Sequence, residues 1–254
     1  MKILISNDDG VHALGIKTLN DELKIKYNTT VIAPEVERSG CGQSITLDTP
    51  IIIKEVVENI YQCNGYPADC IAIGMGHIFK ANKPDLIVSG INHGANLGQD
   101  RFYSGTVGAA REGTFRDIPS IAVSLVLDPR KGDEVRYFDT AAKFIKKIID
   151  AGVHEHIPRW HLLNINIPNK PWEKIAGIQS TFVGVQKYSD EIIERSDVRG
   201  RPYYWLGGQY LGSEDIPGSD CNAVAEGFIS LNLQDQHGKN ISHPDFEEIV
   251  NNLK

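Results

Sequence analysis

Asp8 and Asp9 stand side by side in ILISNDDG, directly behind a run of apolar and small residues. Neighbouring carboxylates repel unless water or a cation separates them. Paired aspartate oxygens with few other ligands suit a hard divalent ion that keeps part of its water shell, Mg²⁺ or Mn²⁺. The other use of such a tetrapeptide is a turn whose aspartate caps the following helix. A second polar group, RSG at Arg38–Gly40, offers Ser39 as a neutral oxygen ligand or phosphate donor and Arg38 as a counter-charge, or else is an ordinary polar loop. The third, SGINHGANLGQDRFYSGTVGAA, says more. Asn92 and Asn96 bring amide oxygens, and His93 lies beside them. Ser104, Gly105 and Thr106 then read as the entry to a helix, where hydroxyls and free first-turn N–H groups form an anion site. A plain capped and tightly packed helix is the competing reading. Neither a G-K-[ST] ending nor a G-x-G-x-x-G after the first strand occurs, so no nicotinamide cofactor is implied.

Open parallel sheets gather such loops at the carboxyl ends of their strands. The expected elements fit that arrangement. KILIS, TTVIAP, PDLIVSG and SIAVSLV read as buried strands. ALGIKTLNDELKI reads as an amphipathic helix with Leu14, Leu19 and Leu23 to one side, PADCIAIGMGHIF as a helix opening on Pro67, and YFDTAAKFIKKIIDAG as a helix ended by Gly152. SITLD and IIIKEVV, around Pro50, are expected to form a hairpin or β-arm. HLLNINIP and FISLNL are later strands, RPYYWLGG an extended arm carrying Tyr203, Tyr204 and Trp205, and HPDFEEIV a short closing helix. Apolar strands alternating with helices predict an α/β fold, a mainly parallel sheet covered on both faces.

Composition narrows the classes. The 254 residues are 41% apolar and 23% charged, as in ordinary globular chains. A formal charge of −7 argues against binding a nucleic-acid polymer. No apolar run approaches the ~20 residues that span a bilayer, and Asp8 and Asp9 interrupt any leader-like segment. A cytoplasmic location is expected, with Cys41, Cys63, Cys70 and Cys221 as free thiols and no structural zinc site. His154, His156 and His161 are read as incidental.

The blocks ILISNDDG, PEVERSG, SGINHGANLG and YSGTVGAAREG, with the later SDCNAVAEGFIS, resemble in order the signatures of the SurE (stationary-phase survival protein) family. The resemblance implies a Rossmann-like core over about residues 1–160. It also implies a C-terminal extension over about 161–254, which with a β-arm builds homodimers or homotetramers. The activity it implies is metal-dependent hydrolysis of nucleoside 5'- or 3'-monophosphates, sometimes also of short polyphosphate. One divalent ion would be held by Asp8, Asp9, Ser39 and Asn92, with Asp8 and Asp9 catalytic and Asn96, Ser104, Gly105 and Thr106 on the phosphate. Two other readings use the same residues. An aspartyl-phosphate phosphatase would take Asp8 as nucleophile, but it usually needs an aspartate where Gly10 stands. A non-catalytic metal-dependent nucleotide sensor would need no turnover.

Overall fold

The computed structural model describes residues 1–127 and 135–238. The expected closing helix HPDFEEIV lies outside them. The chain runs β1 (Lys2–Ser6), α1 (Leu14–Leu23), β2 (Asn28–Pro34), β3 (Ile53–Val57), β4 (Ile60–Cys63), α2 (Pro67–Ile73), β5 (Leu86–His93), α3 (Gly105–Phe115), β6 (Ser120–Val126) and α4 (Phe138–Asp150). It continues through β7 (His161–Pro168), β8 (Gly177–Ser180), β9 (Gln186–Tyr188), β10 (Ile192–Ser196), β11 (Pro202–Leu206), β12 (Tyr210–Ser213), α5 (Asp220–Ala225) and β13 (Phe228–Asp235).

Nine strands form one sheet in the order β3-β4-β2-β1-β5-β6-β7-β13-β8. Every pairing from β4 to β7 is parallel, whereas β3 on β4 and β13 on β7 are antiparallel. The chain is thus an α/β protein with a mainly parallel sheet. β7 and β13, from the part of the chain expected to be an extension, lie inside this sheet.

Successive strand residues point to opposite faces, and both faces are dry. Ile3, Ile5, Leu86 and Val88 pack with Ile16, Leu19 and Leu23 of α1 and Phe144, Ile145 and Ile148 of α4. Leu4, Ile32 and Ile87 face the other way, onto Cys70 and Ile71 of α2 and Ala109 of α3. This two-sided burial is why the strand runs are apolar throughout rather than alternating.

Two local expectations are corrected. Leu14 does not join the buried side of α1. It is 56% exposed, because it precedes Ile16 by two positions and so points some 200° away at about 100° per residue. SITLD forms no strand either. The Thr46 N–H and hydroxyl donate to the Asp69 carboxylate at 3.0 and 2.6 Å, tying the segment to α2. The hairpin instead joins β3 to β4 through Glu58 and Asn59, and Asn59 takes the left-handed φ of +61° that asparagine tolerates.

Leu19 is fully buried between α1 and the sheet. Its replacement by Ala is expected to lower unfolding stability by about 2–5 kcal/mol, read as a lower urea midpoint with an unchanged slope.

Candidate active site

β1 is flanked by β2 on one side and β5 on the other, so the strand order reverses beside it. Reversal points of this kind open a crevice at the carboxyl ends of the strands. A cavity of about 380 Å³ lies there, lined by Asp8, Asp9, Ser39, Asn92, Asn96 and Ser104 among others. Gly105 and Thr106 back it through Asp8. The eight residues singled out from sequence therefore come together from four separate stretches of chain.

Asp8 is 4% exposed. Its carboxylate accepts a hydrogen bond from the Thr106 hydroxyl and faces the backbone N–H groups of Gly105 and Thr106. Burial raises its pKa, and these donors pull it partly back. The first turn of α3 is thus aimed at a carboxylate of the chain itself, rather than being left wholly free for an incoming anion. That close approach requires glycine at 105: a Cβ would sit 2.8 Å from Asp8 Cβ and 2.7 Å from Cys41 Sγ. A Cβ at Gly108 would meet the Gly42 carbonyl oxygen at 2.3 Å, so the loop after β2 can close over the helix only because the helix is bare there.

Asp9 is pushed up to about 7, chiefly by burial and then by the charge of Asp8, against one hydrogen bond from the His93 N–H at 3.2 Å. Asn92 donates its Nδ2 to the Gly94 carbonyl at 3.0 Å, which turns its Oδ1 toward the Thr106 hydroxyl 3.3 Å away. Ser39 is exposed at the cavity mouth, and its hydroxyl donates to Glu37 at 2.6 Å. Ser104 caps α3, its Oγ accepting from the Val107 N–H at 3.1 Å. Asn96 donates its Nδ2 to Ser124 Oγ at 2.7 Å, while its backbone carbonyl accepts from Asn164 and Asn166.

Arg38 does not face the cavity. Its guanidinium donates to the Asn64 carbonyl at 2.9 Å and lies over the Tyr66 ring. Four contributors went unnoticed in the sequence: Glu37, which holds Ser39, and Ser124, Asn164 and Asn166, which hold Asn96. A signal for the last pair existed. Asn164 and Asn166 alternate with Leu163, Ile165 and Ile167 in HLLNINIP, so both amides share one face of a buried strand. His93 lines the cavity, with its ring set edge-on to Phe138. His154 and His156 remain apart from it. His161 instead meets Asp235 and His237 at another edge of the fold.

The donors fit a hard dication. Asp8, Asp9 and Asn92 present oxygen, and among the described residues no lysine or arginine influences the charge of either carboxylate. Two desolvated acids at one sheet edge are an unfavourable arrangement that a divalent ion relieves.

Fold and site together define a class: a doubly covered α/β protein with an acidic crevice at the strand switch point, facing a helix entry. Residues 3–190 match the model of the family described as Survival protein SurE. The chain belongs to the SurE family. It is 42% identical over 231 residues to 5'-nucleotidase SurE of Vibrio cholerae serotype O1, covering 91% of this chain and 90% of that protein. Its identity to 5'-nucleotidase SurE of Geobacter sulfurreducens is also 42%, over 91% of this chain and 86% of that one. The crystal structure of the SurE protein from Aquifex aeolicus superposes with a TM-score of 0.84 at 35% identity, covering 100% of this chain and 99% of that one.

The raised pKa of Asp9 has a stability consequence. The unfolded chain releases this proton near pH 3.8 and the metal-free fold only near 7. Holding the charge therefore destabilises the fold increasingly through that window and fully above it. Asp9→Asn is expected to stabilise the chelator-treated protein at pH 8 by about 1–3 kcal/mol, a gain that shrinks toward pH 4. Thermal melts of both proteins across that range check it.

Proposed function

We propose that the chain is a divalent-metal-dependent 5'-nucleotidase, hydrolysing nucleoside monophosphates to nucleoside and phosphate. The observation that carries this reading is the adjacent pair of buried Asp8 and half-buried Asp9, set against the entry of α3 with no lysine or arginine among the described residues acting on either charge. The substrate class comes from relatives named 5'-nucleotidase SurE that align with nine-tenths of the chain.

Asp8, Asp9, Ser39 and Asn92 would hold one ion, Mg²⁺ or Mn²⁺. Bound there, such an ion polarises a phosphoryl oxygen and lowers the pKa of a coordinated water. The chain's own groups set the geometry. Thr106 and the first-turn N–H groups lock the Asp8 carboxylate in one orientation, so an incoming ligand finds it preorganised. The Ser104 Oγ accepts from Val107, which leaves its own O–H to donate to a phosphate oxygen. Asn96 uses one amide hydrogen on Ser124, and its second is available to the phosphate. Gly105 contributes by having no side chain. Asn164 and Asn166 grip the Asn96 backbone and keep that amide at the crevice.

We read the chain as one domain that assembles into a homodimer or homotetramer through the β10–β11 ribbon. Tyr204, Trp205 and Leu206 are 60%, 61% and 90% exposed there. The four cysteines are unpaired, which supports a reducing, cytoplasmic setting. No helix among the described residues is long and apolar enough to cross a membrane.

Phosphate release from a panel of nucleoside 5'- and 3'-monophosphates and short polyphosphate, with Mg²⁺, Mn²⁺ or chelator, tests the activity. Metal-dependent release from the 5'-esters is expected, falling by about 10²-fold or more in Asp8→Asn or Asp9→Asn. Undiminished release in chelator or in the double variant overturns the reading. Trp205→Asp is expected to lower the molar mass seen by light scattering, whereas a monomeric wild type refutes the assembly.

A further inference from the structure

The far rim of the sheet holds a second ligand-bearing cluster. β7 runs parallel to β6, β5 and β1, so its first residue, His161, lies at the edge opposite the carboxyl ends that carry Asp8 and Asp9. His161 is paired directly across the antiparallel ladder with Asp235, the last residue of β13. Directly paired residues present their side chains on one face. Past β13 the Gln236 N–H donates to the Trp160 carbonyl at 2.8 Å, and the chain then bends at His237. At that bend the His237 N–H and ring Nδ1 both reach Asp235 Oδ1, which sets the two side chains together. One nitrogen from each histidine and one Asp235 oxygen lie within 4.8 Å of one another.

We propose that His161, Asp235 and His237 form a binding site for a borderline transition-metal ion, Zn²⁺ in particular, separate from the nucleotidase crevice. Two imidazoles and one carboxylate with a water as fourth ligand are a donor set that zinc accepts and that Mg²⁺ does not favour.

Three features orient the ligands. His161 Nδ1 lies 3.0 Å from the Arg159 carbonyl. A carbonyl can only accept, so that nitrogen carries the proton and Nε2 keeps its lone pair for a metal, the arrangement usual for ligating histidines. Asp235 Oδ1 accepts from the His237 N–H at 2.9 Å and lies 2.5 Å from His237 Nδ1, so carboxylate and ring already converge. The Trp160 ring, at a left-handed φ of +59°, stacks on His237 with centroids 5.4 Å apart. A cation seated among the three takes the place of the proton between His237 Nδ1 and Asp235. That proton moves to His237 Nε2, leaving the ring neutral.

The ion would clamp the open end of the β7–β13 pair, which joins the later part of the chain to the central sheet. It needs no part of the Asp8–Asp9 site, so the proposal stands or falls independently of the nucleotidase reading.

The test titrates Zn²⁺ into the full chain, stripped of metal, against a chromophoric chelator. The His161→Gln, His237→Gln double variant is expected to bind one zinc fewer per chain than wild type. The Asp8→Asn, Asp9→Asn variant keeps that zinc. Asp235→Asn is expected to weaken it by about tenfold or more. Zn²⁺ raises the melting temperature of wild type and of the Asp8→Asn, Asp9→Asn variant, but not of the histidine double variant. Release of phosphate with Mg²⁺ or Mn²⁺ stays within about twofold of wild type in that double variant. Should the double variant fail to fold, His237→Gln alone, at an exposed ring, carries the comparison. Equal zinc stoichiometry with and without these histidines shows an ordinary surface His–Asp contact and overturns the site.

Discussion

Repulsion between two desolvated carboxylates is the constraint around which the rest of this molecule is arranged. Asp8 and Asp9 are adjacent in sequence, so no rotation of the backbone can take them far apart. Burial behind β1 removes the water that would otherwise screen them. The fold answers with dipoles mainly on one side: a threonine hydroxyl and the N–H groups opening α3 support Asp8, while among the described residues Asp9 has one backbone donor, the His93 N–H. The imbalance is a standing preference for positive charge at one point of the sheet edge, and it gives the crevice its chemistry.

The surrounding architecture follows from holding that point. β1 lies between β2 and β5, which brings the loop after β2 and the asparagine at the end of β5 to the same edge. Asn92, Ser124 and Asn166 fall in one register row across β5, β6 and β7, so a polar line runs from the crevice into the sheet and steadies Asn96. The bare flank of α3 at Gly105 and Gly108 admits Asp8 and the loop after β2 at distances that a side chain would forbid. Packing on both faces of the sheet makes this edge rigid, and rigidity is what preorganisation needs.

Much of this was legible in the sequence, for identifiable reasons. Doubly buried strands write continuous apolar runs, and polar residues placed just behind them had to gather at one edge, so the assembly of Asp8, Asn92 and Ser104 could be anticipated. Tertiary contacts decided what could not. Arg38 was open to a counter-charge or an ordinary-loop reading, and it satisfies the Asn64 carbonyl and lies on Tyr66, partners distant in sequence. Thr46 was drawn off a strand by Asp69. The entry of α3 read as a seat for an external anion, and the residue that takes donors from Gly105 and Thr106 is Asp8, 98 positions before Thr106. Asn164 and Asn166 were visible as alternation but not as support, because their partner lies on another loop.

The central claim is geometric, and diffraction from Mn²⁺-soaked crystals tests it most directly. The account expects one anomalous peak within coordination distance of Asp8, Asp9 and Asn92. A crevice left without manganese at saturating concentration would contradict the account.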